Sequence, residues 1–536
     1  LLCVGIDNGL GLRPPLGWRN FNAFYNPSQQ IMEDTMDAMV DESRLVDGKP
    51  TSLRSLGYVH VGLDGGWNQC FAENHTFHLK DGTPVWNDRF PDPQAMVDKA
   101  HDLNLLPGWY LNNCGCAENH ITDPSLVETI MAGSVKALAK FGFDGVKFDS
   151  CSQFHNLTHW AQLLNATGRK VLIENCHQGG YAPGMEQWQT YMHNATTGQY
   201  THALGYYVIG KDEEPPLTNV TASACIAECT KRGDACVGVC FQSEEVWPSG
   251  LIKECYVKGV GARYAAMDLS NSNHCVGTTS PSDCPYNFYR TSGDIQRHWN
   301  NVLLNSAASV RFLEGDTPLS RPGAWAYPDM LEVGNLANAT ESRSHFSMWA
   351  VMSSPLILSF DLNDKKRMDE SWPIITNRRI IEVNQVWVGH PGKRIATDVP
   401  PPPPPPNPPP GTPVAGIGER WQVWAKPLRQ PPKTHGGGNY SFAVLFVSTG
   451  SAPSIDITIP YVNISTSFTT EKGVCLYDLY TGAIEGPIDP RGRNLTAAGL
   501  GAHDSHFVCV GVPPLSDNGE QLVDCNALES RGGCPL

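Results

Sequence analysis

The stretch GVKFDSC, residues 145–151, places two charged side chains at the end of an apolar run that is typical of a buried strand. Side chains alternate along a strand, so Lys147 and Asp149 share one face while Phe148 points to the other. Because burying a charge without a partner is costly, two interpretations compete. The pair is either a structural salt bridge or part of a catalytic site at the carboxyl end of the strand.

The sequence around this stretch alternates between strands and helices, and it does so again after residue 284. Between the strands, apolar residues recur at helical spacing, as in Leu126, Ile130 and Leu138. Eight such strands, with polar residues at their carboxyl ends, predict an α/β fold, a (β/α)8 barrel with its active site on that face. The predicted strands are LGWRNFN (16–22), YVHVGLDGGW (58–67), LLPGWYLNN (105–113), FDGVKFDS (143–150), KVLIENC (170–176), YNFYRTSGD (286–294), AWAYPDML (324–331) and SSPLILSFDL (353–362).

A cysteine-rich insertion at 182–283 divides the predicted barrel into 1–181 and 284–395. It holds six cysteines before Cys284, enough for three disulfides in a small module. The run ACIAECTKRGDACVGVCFQ (224–242) has helix-like cysteine spacing followed by strand-like sequence, and it loosely resembles PAN/apple modules. The alternative is a disulfide-stapled loop with no binding role.

The last third of the chain has a different composition. Residues 400–410, PPPPPPPNPPP, predict polyproline II, so 396–415 is interpreted as a stiff linker or an exposed arm. Beyond it, period-two strands separated by turn residues predict an antiparallel β-sandwich over 416–514. Cys525 and Cys534 predict a disulfide-stapled tail over 515–536.

Charge, cysteines and glycosylation sequons indicate the compartment. The net charge of −15 argues against nucleic acid as a partner. The sequence has no run of 18 or more apolar residues, so no membrane span is predicted. Seventeen cysteines together with nine Asn-x-Ser/Thr sequons favour a secreted, extracellular protein of a surface, wall or matrix. The amino terminus fits a chain whose signal peptide has been removed, and the odd cysteine count makes Cys3 the candidate unpaired thiol. The predicted glycosylation sites are Asn74, Asn156, Asn165, Asn194, Asn219, Asn338, Asn439, Asn463 and Asn494.

Four predicted strands end in acidic or basic residues that suit glycosidic bond cleavage. That reaction needs two carboxyl groups flanking the bond, about 5–5.5 Å apart when the configuration is retained. Strands four and six can face one another across a barrel mouth. Asp149 beside Lys147 would stay ionised as the nucleophile, and Asp294 would act as acid and then base.

Five blocks together resemble glycoside hydrolase family 27, the α-galactosidases and α-N-acetylgalactosaminidases: DNGLGLRPPLGW (7–18), KFDSC (147–151), RTSGDI (290–295), PDMLEVGN (328–335) and MSSPLILSFDL (352–362). The likeness covers about 1–180 and 284–395, and the sandwich loosely. It implies Asp149 as nucleophile and Asp294 as acid/base, without a cofactor. The sugar contacts predicted with it are Asp64, Trp67, Tyr110, Lys147, His177, Arg290 and Asp329. The predicted disulfides are Cys151 with Cys114 or Cys116, Cys176 with Cys284, Cys475 with Cys509, and Cys525 with Cys534.

The chain departs from the family pattern around the sugar. Gly65 stands where these enzymes carry a second aspartate, and His177 follows Cys176 where they show Glu. Tyr327 lies in a block that usually reads Trp-Asn-Asp-Pro-Asp, and Phe21 replaces an early pocket tryptophan. Losing a charged hydrogen bond to a hydroxyl costs roughly 1.5–3 kcal/mol, enough to change substrate preference.

Simpler roles remain open for individual residues. Arg290 and Asp294 are four apart, a spacing that also suits an ordinary pair on a helix surface. Asp64 could cap a turn, Asp329 could be structural, and His177 could be an ordinary loop histidine. The run CGCAENH (114–120) suggests metal, but disulfide formation is favoured in a secreted chain, so no metal site is predicted.

The resulting hypothesis is an extracellular retaining glycosidase acting on an α-linked galactose-like sugar, or on a related pyranoside such as β-L-arabinopyranose. The alternative is a glycan-binding or structural matrix protein that keeps a hydrolase fold with little activity. The insertion and the proline arm would suit extracellular assembly partners. A carbohydrate is the expected ligand in both cases.

Overall fold

A computed structural model of the chain describes most of residues 8–512, together with Cys525 and Cys534. The segments outside the described part are 1–7, 73–75, 112, 150–151, 155, 177–187, 195–198, 203–205, 210–216, 233–234, 243–251, 260–262, 267–284, 316–317, 399–419, 430–439, 470, 472, 513–524, 526–533 and 535–536.

Eight parallel strands form the barrel, paired in the order β7-β6-β5-β4-β3-β2-β1-β8. The barrel closes where Leu331, just after β7, donates its backbone N–H to Ile357 O at 2.7 Å and bridges to Leu358. The predicted (β/α)8 barrel is therefore confirmed. The strands are β1 Leu16–Arg19, β2 His60–Gly62, β3 Leu106–Leu111, β4 Gly145–Phe148, β5 Leu172–Asn175, β6 Phe288–Arg290, β7 Trp325–Tyr327 and β8 Leu356–Leu358.

Helices follow the strands and begin at side-chain caps that the sequence provides. Asp92 and Asp123 each accept a backbone N–H and precede a proline in the first turn, which fixes the two helix starts. Gly142 ends the helix before β4 in the left-handed region, with φ 86°. The helices are α1 Gln29–Val40, α2 Pro93–Asp102, α3 Pro124–Phe141, α4 Leu157–Ala166, α5 Trp299–Leu313, α6 Ala339–Val351, α7 Lys365–Ile375 and α8 Arg378–Gln385.

The interior of the barrel has room for large charged side chains because several strands carry glycine. A Cβ on Gly62 would lie 3.1 Å from Arg19 Nε, so the bare backbone of β2 makes space for that guanidinium. Lys147 on β4 pairs in register with Tyr110 on β3 and Glu174 on β5. The polar groups at the carboxyl ends of these strands thereby gather at one mouth of the barrel.

The insertion between β5 and β6 contains a five-stranded antiparallel sheet and one helix. Disulfides Cys225–Cys255 and Cys229–Cys236 join the helix to the sheet and form a small buried core with Val239. In sheet order the strands are Leu217–Val220, Ile252–Gly259, Cys236–Gln242, Trp188–Asn194 and Gln199–His202; the helix is Ala222–Arg232, and Tyr206–Ile209 pairs with Arg263–Ala266. Its likeness to PAN/apple modules stays a prediction.

The carboxyl-terminal part is the predicted antiparallel sandwich, with a six-stranded sheet in the order β9-β10-β11-β16-β13-β14 and the pair β12–β15. One face of the large sheet packs with the barrel core, and the other packs on β12 and β15. The strands are β9 Lys393–Thr397, β10 Trp421–Arg429, β11 Ser441–Ser448, β12 Ile455–Pro460, β13 Val474–Asp478, β14 Ile484–Ile488, β15 Asn494–Leu500 and β16 Ser505–Gly511.

In the sequence, the proline tract falls between two strands of the sandwich and not between two domains. β9 precedes it, β10 follows it, and the two pair as neighbours with Thr397 opposite Gln422. The sandwich therefore begins near residue 393, earlier than the predicted boundary at 416. The tract itself lies outside the described residues, and the interpretation as an arm stays open.

The predicted pairings Cys475–Cys509 and Cys525–Cys534 are wrong. The structure bonds Cys475 to Cys525 and Cys509 to Cys534. The reason is the strand register, since Cys475 lies opposite Gly511 and Cys509 lies opposite Tyr477. Each strand cysteine therefore takes its partner from the tail, which is stapled to the sandwich and not to itself.

Candidate active site

Asp149 follows β4 and is half-buried at the barrel mouth. The hydroxyl of Tyr110, on the neighbouring strand β3, donates a hydrogen bond to Asp149 Oδ2. Burial, followed by the charge of Asp149, raises the pKa of Tyr110 well above its ordinary value. Tyr110 is therefore a permanent donor, which holds the carboxylate in one orientation while leaving it partly accessible.

Lys147 is buried and pairs with Asp64, which follows β2, with Nζ 2.9 Å from Asp64 Oδ2. Its ammonium also lies 5.0 Å from the ring centroid of Tyr110 and 5.6 Å from that of Phe21. Burial lowers the pKa of Lys147, but Asp64 outweighs that effect and the pKa is raised. Lys147 thus contacts one buried counter-ion, Asp64, and two aromatic rings.

Below this pair, Arg19 on β1 connects Asp64 to Glu174 on β5. Its guanidinium lies 3.4 Å from Asp64 Oδ2 and 2.5 Å from Glu174 Oε2. The result is a buried row of alternating charges, formed in order by Lys147, Asp64, Arg19 and Glu174. Neither Arg19 nor Glu174 was predicted as a site residue.

A second cation, Arg290 at the end of β6, contacts two aspartates. Its Nη2 lies 2.9 Å from Asp329 Oδ2 and 3.2 Å from Asp294 Oδ1. The Asp294 side chain is 53% exposed, while that of Asp329 is buried. Arg290 therefore joins a buried anchor to a carboxylate that faces solvent at the mouth, where a general acid and base must act.

Asp64 and Asp329 use their carboxylate oxygens within the protein. Asp64 accepts from Lys147, Arg19 and the backbone N–H of Gly65. Asp329, with a positive φ of 97°, accepts from Arg290 and from the N–H groups of Ile295 and Met330. Both side chains are buried, as are Lys147 and Arg290, and each holds one of these two cations in place. Their predicted contacts with the sugar stay predictions.

Trp67 lies in the core and not in the mouth of the barrel. It is 0% exposed, its ring lies 4.7 Å from Trp86 and 4.8 Å from Trp109, and its N–H donates to Tyr110 O at 2.8 Å. This burial contradicts the predicted sugar contact, because no ring face remains open. His177, another predicted sugar contact, lies outside the described residues.

The predicted disulfide Cys176–Cys284 is not formed: Cys176 is a buried free thiol, and Cys284 lies outside the described residues. The reason is its position at the end of β5, where its sulfur accepts a long hydrogen bond of 3.8 Å from Arg290 Nη1. Burial, then the charge of Asp149, raises the pKa of this thiol well above its ordinary value. Cys3, the predicted unpaired cysteine, lies outside the described residues.

The loop after β3 is joined to the loop after β2 by Cys70–Cys116. This pairing excludes Cys116 as the partner of Cys151, because a cysteine forms only one disulfide bond. Cys114 is disulfide-bonded. Since Cys151 is outside the described residues, Cys114–Cys151 stays a prediction.

The substituted pocket positions have structural consequences. A Cβ on Gly65 would lie 3.4 Å from the Tyr110 ring, so the tyrosine covers the space above the missing carboxylate. Tyr327 is fully buried at the end of β7, and its hydroxyl makes no hydrogen bond among the described residues. Phe21 remains half-buried against Lys147. Aromatic rings therefore occupy positions around the site where the family pattern has carboxylates or a tryptophan.

None of the helices in the described residues is long and apolar enough to cross a membrane. Within the same residues, no group of three or more His, Cys, Asp or Glu side chains is arranged to hold a metal ion.

The barrel, the sandwich and the paired carboxylates are the features of a glycosidase, and sequence comparison agrees. Residues 274–386 match the family described as Alpha galactosidase A. The chain is 24% identical over 407 residues to the α-galactosidase of Cyamopsis tetragonoloba and 26% identical over 396 residues to that of Oryza sativa subsp. japonica; each alignment covers 73% of this chain and 68% of the relative. The α-N-acetylgalactosaminidase of Gallus gallus is 24% identical over 408 residues, covering 73% and 74%.

Solved structures share the fold. α-Galactosidase I of Mortierella vinacea superposes with a TM-score of 0.57 at 18% identity, covering 94% of this chain and 98% of that one. An α-galactosidase of Saccharomyces cerevisiae gives 0.56 at 19%, with the same coverage. By sequence and by fold, the chain is similar to the α-galactosidases.

Proposed function

We propose that this chain is a retaining glycoside hydrolase that removes terminal α-linked galactose-like sugars. The observation that carries the proposal is the pair of carboxylates that follow β4 and β6. One accepts a hydrogen bond from a neutral hydroxyl and the other from a guanidinium. Tyr110 donates to Asp149, and Arg290 donates to Asp294. The similarity to α-galactosidases over most of the chain supports the sugar class.

In the proposed mechanism, Asp149 attacks the anomeric carbon while Asp294 donates its proton to the leaving oxygen. The glycosidic bond breaks, and a covalent glycosyl-Asp149 ester forms. Asp294, now ionised, takes a proton from water, and that water attacks the anomeric carbon. The ester bond breaks, Asp149 is released as carboxylate, and the sugar leaves with its original configuration.

The identity of the sugar rests on the altered pocket. Gly65 supplies no carboxylate, and Asp64 is bonded to Lys147 and Arg19. Among the described residues, the Tyr110 hydroxyl and the buried cations Lys147 and Arg290 are further polar groups near the carboxylates at the barrel mouth. A pyranoside without the hydroxymethyl arm, such as β-L-arabinopyranose, therefore belongs in the substrate panel beside galactose and N-acetylgalactosamine.

Secretion is part of the proposal. Five disulfides join described cysteines, which suits an oxidising compartment. The sequon asparagines whose exposure the structure describes are all exposed: Asn156, Asn165, Asn338, Asn463 and Asn494. These positions could carry glycans without disturbing the core, and the insertion would be free to contact an extracellular partner.

The test is hydrolysis of nitrophenyl glycosides of these sugars by the intact protein and by Asp149→Asn. The matched control is Asp144→Asn, the same change at the opposite end of β4, where Asp144 binds Arg169 and His101. We expect Asp149→Asn to abolish turnover and the control to keep it. Azide should restore turnover in Asp149→Gly and yield a β-glycosyl azide from an α-glycoside, which identifies the nucleophile.

Absence of turnover on every glycoside, with the fold intact, would overturn the enzyme proposal. The same panel on a glycan array would then test the alternative, a glycan-binding matrix protein with a hydrolase fold. The departures at Gly65 and Tyr327 are the specific observations that favour that alternative.

A further inference from the structure

We propose that Tyr25 forms a binding subsite for the leaving group, a pyranose ring that stacks on the tyrosine outside the catalytic pocket. The inference rests on the proposed function and deepens it, because it names what the enzyme recognises beyond the cleaved sugar. Tyr25 lies in the loop after β1, at the same mouth of the barrel as Asp149. Its ring is 67% exposed, although an aromatic ring gains most from burial.

Two successive contacts connect Lys147 in the catalytic pocket with Tyr25, and Phe21 takes part in both. The Lys147 ammonium lies 5.6 Å from the Phe21 ring, and the Phe21 and Tyr25 ring centroids are 5.9 Å apart, in an edge-to-face arrangement of 70°. Phe21 is half-buried and Tyr25 is exposed, so the path runs outward. One pyranose in the pocket against Phe21 would place the next ring of the substrate at Tyr25.

The loop that carries Tyr25 is held in place on two sides. The Asn20 side chain donates to Phe24 O at 3.1 Å and accepts the backbone N–H of Asp64 at 2.7 Å. Gly66, at φ 95°, packs so closely that a Cβ there would lie 2.9 Å from Pro27 Cδ and 3.3 Å from Tyr25 O. A ring presented on a fixed loop loses little conformational entropy when it binds a ligand.

The same loop is bonded to the segment that carries the general acid. Asn22 Nδ2 donates to Ile295 O at 3.3 Å, one residue after Asp294, and the Arg297 guanidinium donates to Asn22 O. Asp294 protonates the leaving oxygen, so the leaving group must lie on its side of the pocket. Tyr25 is an exposed aromatic residue on the loop that is bonded to this segment.

A pyranose has an apolar face of C–H groups that can cover an aromatic ring and exclude water from it. Binding energy gained away from the reacting bond can be used to lower the free energy of the transition state of the reaction. The subsite therefore favours disaccharides and oligosaccharides over substrates whose leaving group has no ring. The test therefore compares a substrate whose leaving group is a pyranose with one whose leaving group has no ring.

The experiment compares Tyr25→Ala, Tyr25→Phe and the control Leu12→Ala on two substrates of the sugar identified in the panel. Leu12 is 62% exposed and precedes β1 at the other end of the barrel. One substrate is the glycosyl fluoride, whose leaving group has no ring, and the other is a disaccharide. We expect Tyr25→Ala to lower kcat/KM on the disaccharide by about 3- to 10-fold. The fluoride should be unaffected, Tyr25→Phe should behave as wild type, and so should Leu12→Ala.

Equal loss on both substrates would show that Tyr25 is only structural and would overturn the subsite, as would no loss on either. A wild-type protein inactive even on the fluoride would instead overturn the proposed function, and the subsite with it.

Discussion

The guanidinium of Arg290 lies 3.2 Å from the carboxylate of Asp294, which is largely exposed. The same guanidinium also contacts Asp329, which is buried. The arginine cannot follow Asp294 outward, because Asp329 and the barrel wall hold it. Asp294 is thereby placed by a fixed donor yet remains open to water. A group that must give a proton and then regain it needs both properties.

Asp294→Asn should lower kcat/KM on glycosides with poor leaving groups by about 10²- to 10⁴-fold, because the leaving oxygen loses its proton donor. Glycosyl fluorides should be affected far less in the first step, since fluoride leaves without protonation. Steady-state kinetics on a matched pair of substrates measures the difference. Equal losses on both would assign Asp294 a structural role.

Tyr110→Phe should reduce kcat by about 10- to 100-fold, the value of a hydrogen bond to a charged group. The change removes only the hydroxyl that donates to Asp149. Tyr58→Phe is the control, because Tyr58 is equally buried and donates to Ile375 O at 2.8 Å away from the site. That variant should lose stability and keep its kcat, and a Tyr110→Phe enzyme with wild-type kcat would refute the role of the contact.

Arg19→Met should destabilise the protein by about 3–5 kcal/mol, because Glu174 and Asp64 would be left buried with less compensating charge. Urea unfolding measures the loss. Adding Glu174→Gln to the same chain should recover part of it, since the uncompensated carboxylate is then neutral. Additive effects in this double-mutant cycle would mean that the two residues do not interact across the barrel.

Lys426 should make stability depend on pH. It is buried on β10, where its amine donates to Ser353 Oγ at 2.7 Å and Asn384 O at 3.1 Å. Burial lowers its pKa to about 7 from 10.5. Above pH 7 the unfolded chain holds the additional proton, so the free energy of unfolding should rise by about 2 kcal/mol from pH 7 to pH 9.

Lys426→Met should remove this rise, whereas Lys99→Met, which changes a surface lysine paired with Asp37, should retain it. Urea unfolding at pH 7, 8 and 9 compares the three proteins. A rise of the same size in Lys426→Met would assign the pH dependence to other groups.

Much of the fold could be predicted because its signals are local. The strand ending at Phe148 is short and apolar, and Pro124 and Gly142 mark the start and end of α3. Asp149 and Asp294 could be predicted at one mouth of the barrel because both follow strands of one parallel barrel, while their catalytic roles stay predictions. Their placement needed only the order of the strands.

The rest depends on contacts that no local pattern records. Arg19 and Glu174 are 155 positions apart and meet only through closure of the barrel. Arg19 is the last residue of β1 and Gly62 is the last residue of β2. A long side chain beside a glycine that leaves room for it was the one signal that the sequence offered. Cys475 and Cys509 were paired wrongly because two adjacent strands can differ in register by two residues without any change in their sequence pattern.

The pairing of β9 with β10 fixes what the proline tract can do. The described residues that flank it, Thr397 and Gln422, lie opposite each other in one sheet, so the segment between them does not connect two domains. Evolution could lengthen, shorten or decorate this excursion at little thermodynamic cost, since closure entropy grows slowly with loop length. A change in the length of this segment would therefore leave the pairing of β9 with β10 and the catalytic barrel unaltered.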